Sequence, residues 1–170
     1  MKKPSFSRVC LLLLCALLLI TGICLSRSQN RYRAALHRIG ADALHSCTIQ
    51  AEDTHGGFHH DGTAIYCYSD LRESEIAELL QKNPAWKRYT QKEPINRLLY
   101  GGGQDVYYDA LVAFEPVLTD GFYWFLNLQN QNAGATESDI TALYEQPSRN
   151  FILALLDTEK RVLYYIQYDS

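Results

Sequence analysis

Asp53-Thr-His55-Gly-Gly-Phe-His59-His60-Asp61-Gly62 is the one stretch of this chain dense in side chains that can do chemistry. Three His and two Asp fall within nine positions. Imidazole nitrogens and carboxylate oxygens form the donor set of zinc and similar divalent metals. Gly56 and Gly57 let the loop fold tightly, so His55 and His59 can converge on one point. On this reading Asp53, His55, His59 and Asp61 hold a divalent metal, and a hydrolytic site is the chemistry that follows. The pattern is not the H-E-x-x-H helix of zinc proteases. No Glu stands in place, and Gly56-Gly57 oppose a helix. The competing and favoured reading is a hairpin loop with no metal or other cofactor. Asp53-Thr54 and Asp61-Gly62 are ordinary turn formers at two strand ends, and their carboxylates can satisfy loop N–H groups. No nucleophile lies near the loop in sequence, although a triad assembles across a fold.

Two strands must carry this loop. Ser46–Ala51 and Thr63–Tyr68 both read as strands, and they suggest a hairpin with Cys47 opposite Cys67, Ile49 opposite Ile65 and Ala51 opposite Thr63. Side chains alternate with period two, so these six residues share one face. Cys47 and Cys67 are the only cysteines after residue 24. Directly opposed, they stand close enough for a disulfide, and an even pair suits an oxidising compartment. The other reading is two buried free thiols.

In the rest of the domain, strands follow one another through short turns, with helices inserted rather than alternating. Asp70 and Glu73 have the D-x-x-E spacing of a capping box. Ile76, Leu79 and Leu80 then form an apolar helical stripe, with Glu73, Glu75, Glu78 and Lys82 on the solvated face. Asn83-Pro84 stops that helix. Ile95, Leu98 and Leu99 mark a second helix starting near Pro94, closed by Gly101-Gly102-Gly103. Asp105–Val117 fits a short helix or an extended segment equally. Gly121–Leu128 reads as an aromatic strand, and Ser138–Glu145 as a short helix. Phe151–Leu156 and Val162–Tyr168 form a hairpin about the turn Asp157–Lys160. The fold class expected is α+β: an antiparallel sheet with helices packed on one side. Tyr107-Tyr108, Phe122-Tyr123-Trp124 and Tyr164-Tyr165 place aromatics on both faces of their segments. Either both faces are covered, or one carries an exposed aromatic patch that binds proteins, glycans or peptides.

Ahead of the domain lies an anchor. Val9–Leu25 is uncharged and apolar, and Lys2, Lys3 and Arg8 precede it. That is the layout of a secretory signal, near the lower limit of the ~17–25 residues that a bilayer-spanning helix needs. An uncleaved signal anchor is favoured over cleavage after Ser26. Cys15 and Cys24 follow Leu14 and Ile23, a poor fit to a lipoprotein signal. The expected organisation is an anchor over 1–26, a juxtamembrane stalk over 27–45 and a domain over 46–170. The N-terminus is expected inside the cell membrane and the domain outside. No Asp or Glu occurs before Asp42, whereas Arg27, Arg31, Arg33 and Arg38 do. The stalk is therefore basic; its arginines either lie near lipid headgroups and favour anionic ones, or form a solvated linker with no partner, and the two readings weigh equally. The remainder is acidic, which gives it no electrostatic reason to bind nucleic acid.

The pattern DTHGGFHHDG, a short helix ending near NPAW and the closing RNFILALLDTEKRVLYYIQYD resemble a group of short, uncharacterised proteins of Gram-positive bacteria. Those carry an N-terminal anchor or lipoprotein signal. The residues that carry the resemblance are Asp53, His55, Gly56, Gly57, Phe58, His59, Asp61 and Gly62, then Asn150, Asp157 and Tyr164. His60 departs from a Gly in that pattern. The resemblance implies a bacterial, extracytoplasmic domain and brings no activity with it. Taken with the residues, it favours a non-enzymatic, membrane-anchored domain that binds another protein or an envelope component. The alternatives are the metal-dependent or hydrolytic loop and an accessory subunit of a membrane complex.

Overall fold

Helix formers without an internal proline make one unbroken helix, α1 (Phe6–Arg38), of 33 residues. The computed structural model describes residues 6–45, 47–55, 62–89, 93–100, 120–129, 132–133, 137–146 and 149–169. Leu13–Arg38 is long and apolar enough to cross a membrane. Leu13, Leu14, Leu17, Leu18, Leu19, Ile20, Ile23 and Leu25 are each more than half exposed. The chain divides into two compact units, one ending at Arg38 and the other starting at Ile39. That division differs from the expected anchor and stalk. The helix runs through Ser26 without a break, and Ile39, Ala41 and Leu44 are buried residues of the second unit rather than part of a solvated tether.

The second unit is α+β, built on one antiparallel sheet, as its strand and helix signals predict. Its strands are β1 (Thr48–Asp53), β2 (Gly62–Ser69), β3 (Lys87–Tyr89), β4 (Gly121–Asn127), β5 (Asn132–Ala133), β6 (Phe151–Asp157) and β7 (Val162–Asp169). The order across the sheet is β1-β2-β7-β6-β4-β3, and β5 pairs with β4 off that path. The last strand therefore lies in the middle, between the first hairpin and β6. Residues directly opposed across antiparallel strands share a face. One face thus gathers Ile65, Ile166, Leu153, Leu155, Phe125, Tyr123 and Phe151, and these form a single core cluster with Ile95 and Leu98 of α3 (Glu93–Tyr100) and Ile140 and Leu143 of α4 (Glu137–Leu143). Tyr144 Oη donates to Pro94 O at 2.9 Å, tying the end of α4 to the start of α3. The other face carries Tyr68, Leu163, Tyr165, Ala154, Leu156 and Trp124, and these are buried as well. The aromatics on both faces of β4 and β7 are thus explained by burial of the central strands on both sides. Every residue of β6 is buried, which accounts for its unbroken apolar run from Phe151 to Leu156.

The helix α2 (Glu73–Lys82) buries Ile76 and Leu79 as its stripe predicts. Its entry differs from expectation. Arg72, not Asp70, is the N-cap, and the Glu75 carboxylate reaches back to accept the Arg72 N–H at 3.4 Å. Glu75 also accepts the His45 N–H at 3.3 Å, so it is buried rather than solvated. Asp70 instead lies at φ 63° and accepts from Thr48 Oγ1 at 2.8 Å. At the exit, Asn83 Nδ2 donates to Ile39 O at 3.0 Å and Asn83 Oδ1 accepts from Ala85 N at 3.1 Å. Gly40 lies opposite that amide at φ 67°, where a Cβ would collide with Asn83 Nδ2. Gly101-Gly102-Gly103 and Asp105–Val117 lie outside the described residues.

The first hairpin forms, but in another register. Cys67 stands opposite Gln50, Ile65 opposite Glu52, and Tyr66 opposite Ala51. Cys47 precedes the first paired residue, Thr48, whose partner is Ser69. Cys47 and Cys67 are accordingly free thiols, and the expected disulfide is not formed. Burial pushes both thiols above their ordinary range, and the Glu75 charge adds to the effect at Cys47. The register fails the sequence argument because β1 is mostly exposed, so no buried face pins its alternation.

Candidate functional site

The expected site begins where β1 ends. Asp53 is the last residue of that strand, and its Oδ1 accepts the His55 backbone N–H at 3.0 Å. This local turn swings the imidazole back, so the same oxygen lies 2.7 Å from His55 Nδ1. Thr54 locks the turn to β2. Thr54 N donates to Thr63 O at 2.9 Å, and Thr63 N donates to Thr54 Oγ1 at 2.9 Å. Gly62 is what permits this approach. A Cβ there would lie 2.8 Å from both His55 Cα and His55 N, closer than any side chain tolerates against backbone.

The pairing of β2 with β7 supplies a third residue. Gly62 opposes Asp169, so the carboxylate at the end of the last strand stands at the mouth of the first hairpin. Asp169 Oδ2 lies 3.1 Å from His55 Nε2. Asp169 is held from behind: Gln167 Nε2 donates to the same oxygen at 3.0 Å, and Tyr165 Oη donates to Gln167 Oε1 at 3.2 Å. Tyr165 stacks on its cross-strand neighbour Tyr66 with ring centroids 5.5 Å apart. The polar chain from Tyr165 through Gln167, Asp169 and His55 to Asp53 is thus anchored at a buried aromatic pair and ends at the partly exposed sheet corner.

This geometry sorts the four expected metal ligands. Asp53 and His55 are brought together; His59 and Asp61 lie outside the described residues. Asp53 sits on the Nδ1 edge of the ring and Asp169 on the Nε2 edge. No single ion position meets a ring nitrogen and both carboxylates. Among the described residues no group of three His, Cys, Asp or Glu side chains is placed to hold a metal ion. With both ring nitrogens facing carboxylate oxygens, both contacts are hydrogen bonds when the ring carries two N–H groups, as an imidazolium does. The arrangement is a clasp between the ends of β1 and β7. Asp169 and Gln167 were missed in the sequence. The alternation Leu163, Tyr165, Gln167 extends to Asp169, but only the placement of β7 beside β2 brings it to the loop.

No protein family, curated protein or solved structure matches this chain.

Proposed function

We propose that this chain is a single-pass, uncleaved membrane protein whose α+β domain stands outside the cell membrane and works by binding a protein or an envelope component. The observation that carries the anchoring is the exposed leucine and isoleucine surface of α1 from Leu13 to Leu25. An apolar surface of that extent on an isolated helix is stable in lipid and costly in water. Basic residues flank both ends of the apolar run, and the short tail ahead of its signal-like core is what favours an N-terminus retained inside.

Binding rather than catalysis is supported at the sheet corner. A general base needs a nitrogen lone pair directed at its substrate, and both His55 ring nitrogens face carboxylates. The edge strand β1 offers a surface of the kind that partners use. Among the described residues it is paired on one side only, through β2, and Thr48, Gln50, Ala51 and Asp53 are exposed. Main-chain groups on such an edge accept an added strand. A photo-crosslinking residue at Gln50 in the full chain, expressed in cells, tests this. The reading predicts a discrete adduct with a protein or envelope polymer that a crosslinker at exposed Glu78 on α2 does not give. Equal, diffuse labelling from both positions contradicts it.

One observation favours the metal reading. The 3.1 Å separation of His55 Nε2 from Asp169 Oδ2 fits one edge of a coordination polyhedron, and Asp53 on Nδ1 is the carboxylate that orients a ligating imidazole. Titrating zinc into the full chain and into His55→Ala distinguishes the two. Stoichiometric binding lost in the variant favours the metal; identical behaviour favours the clasp.

A further inference from the structure

We propose that β1 pairs with the β1 of a second copy of this chain, antiparallel and centred on Ala51, so that two sheets join into one. The inference rests on the reading that this edge accepts an added strand, and it names what is added. The hydrogen-bond pattern of the first hairpin decides which main-chain groups are on offer. Thr54 N donates to Thr63 O, so those two residues form a hydrogen-bonded pair. Such pairs fall at every second position of an antiparallel ladder, here Glu52–Ile65, Gln50–Cys67 and Thr48–Ser69. The main-chain groups of the intervening residues, Ile49, Ala51 and Asp53, therefore point away from β2.

A second β1 set antiparallel, with Ala51 opposite Ala51, meets that pattern. The two Ala51 residues exchange both of their hydrogen bonds, and Ile49 of each copy faces Asp53 of the other. Gln50 faces Glu52, so an amide donates to a carboxylate on either side of the centre. No like charges are directly opposed. A parallel arrangement would set Glu52 near Glu52 and Asp53 near Asp53, which is destabilising. Opposed residues share a face, so Ile49 and Ala51 of both copies continue the face that carries Tyr68 and Tyr66. The edge is also open to addition. Thr48–Asp53 contains no proline and no lysine, and its register with β2 runs without a bulge. Gln50 and Ala51 at its centre are exposed. Its ends are pinned, Thr48 by Asp70 at 2.8 Å and Asp53 by the His55 N–H at 3.0 Å, so the strand is ordered before it pairs. Copies anchored in one membrane meet at raised effective concentration.

The test uses the full chain. Opposed Ala51 Cα atoms would stand about 5.5 Å apart, within disulfide reach. Ala51→Cys, with the five native cysteines changed to alanine, is oxidised mildly in cell membranes. Self-pairing predicts a linked species of twice the chain mass that Glu78→Cys in the same background does not give. Ala51→Pro removes one outward N–H from each copy and none that pairs with β2. In mild detergent it should raise the dimer dissociation constant at least about tenfold, the worth of two lost main-chain hydrogen bonds, read by analytical ultracentrifugation. Far-UV circular dichroism verifies the fold of each variant; should Ala51→Pro disturb it, the linkage of Ala51→Cys decides alone. A chain that stays monomeric, a dimer unaffected by Ala51→Pro, or an Ala51→Cys chain that does not link overturns the self-pairing. If the crosslinker at Gln50 then still gives a discrete adduct with another molecule, strand addition stands with a different partner. Diffuse labelling from Gln50 together with a monomeric chain overturns both.

Discussion

His55 Nε2 lies 3.1 Å from Asp169 Oδ2, although the two residues are 114 positions apart. This contact joins the end of the first strand to the end of the last, and the opposite ring edge is held by Asp53 at 2.7 Å. The three side chains are partly exposed, so each contact is weakened by solvent. His55→Ala, Asp169→Ala and the double variant form a thermodynamic cycle. The clasp predicts a coupling of about 0.5–1 kcal/mol, read by urea unfolding of the full chain in detergent. Trp86 and Trp124 are both buried in the second unit, so tryptophan fluorescence follows that unit alone. Strictly additive single changes would show that the ring and the carboxylate are neighbours without an interaction.

Gly62→Ala is predicted to break the same clasp while leaving all of its side chains in place. The added methyl meets the His55 backbone at 2.8 Å, and backbone cannot rotate away. The loop must lift, with a loss of roughly 1–3 kcal/mol. Gly22→Ala is the control, because nothing lies within 4 Å of that position. Unfolding midpoints of the two variants should separate clearly; equal midpoints would mean that the hairpin mouth yields freely.

Gly40→Ala is predicted to cost more than Gly62→Ala. Its φ of 67° strains any residue with a Cβ, and the methyl displaces the Asn83 amide that bonds Ile39 and Ala85. Strain and the two lost hydrogen bonds together amount to roughly 2–4 kcal/mol. Asn83→Ala should lose the hydrogen-bond part alone, and the double variant should recover part of the Gly40→Ala loss by removing the clash.

The free thiols give a pH prediction. Burial raises the Cys67 thiol above its ordinary range, so its neutral form is favoured in the folded state. The stabilisation this contributes is fully present below the unfolded thiol value of ~8.5 and is lost as pH rises through the folded value. Native alkylation of Cys67 should accordingly be slower at pH 8 than that of an ordinary cysteine and should increase with pH. Non-reduced peptide mapping of the native protein should find Cys47 and Cys67 each alkylated. A Cys47–Cys67 linked peptide would contradict the observed register.

What the sequence made legible was local. The β6–β7 hairpin follows from the apolar run Phe151–Leu156, a polar turn and a clean alternation from Val162. The α2 stripe and the aromatic strand β4 were equally plain, because period and turn chemistry act over a few residues. The first hairpin was visible as a pair of strands but not in its register, since the exposed β1 residues carry no buried face to align. The α2 cap was misplaced by two residues because Asp70 spends its carboxylate on Thr48. At the candidate site Asp53 and His55 could be named in advance, being joined by a two-residue turn. Asp169 could not, because it arrives through the β2–β7 pairing of the chain's first hairpin with its last strand. Partners fixed by long-range strand order leave no spacing to read.

The anchored arrangement is tested most directly by digesting intact spheroplasts that express the full chain with an added protease, then mapping the fragments left in the membrane. The account predicts that the Ile39–Ser170 unit is attacked from outside, and that the apolar part of α1 stays in the membrane with its N-terminus intact. A domain fully protected until the spheroplasts are lysed would contradict the outward orientation, and a chain recovered in the soluble fraction with α1 removed would contradict the uncleaved anchor.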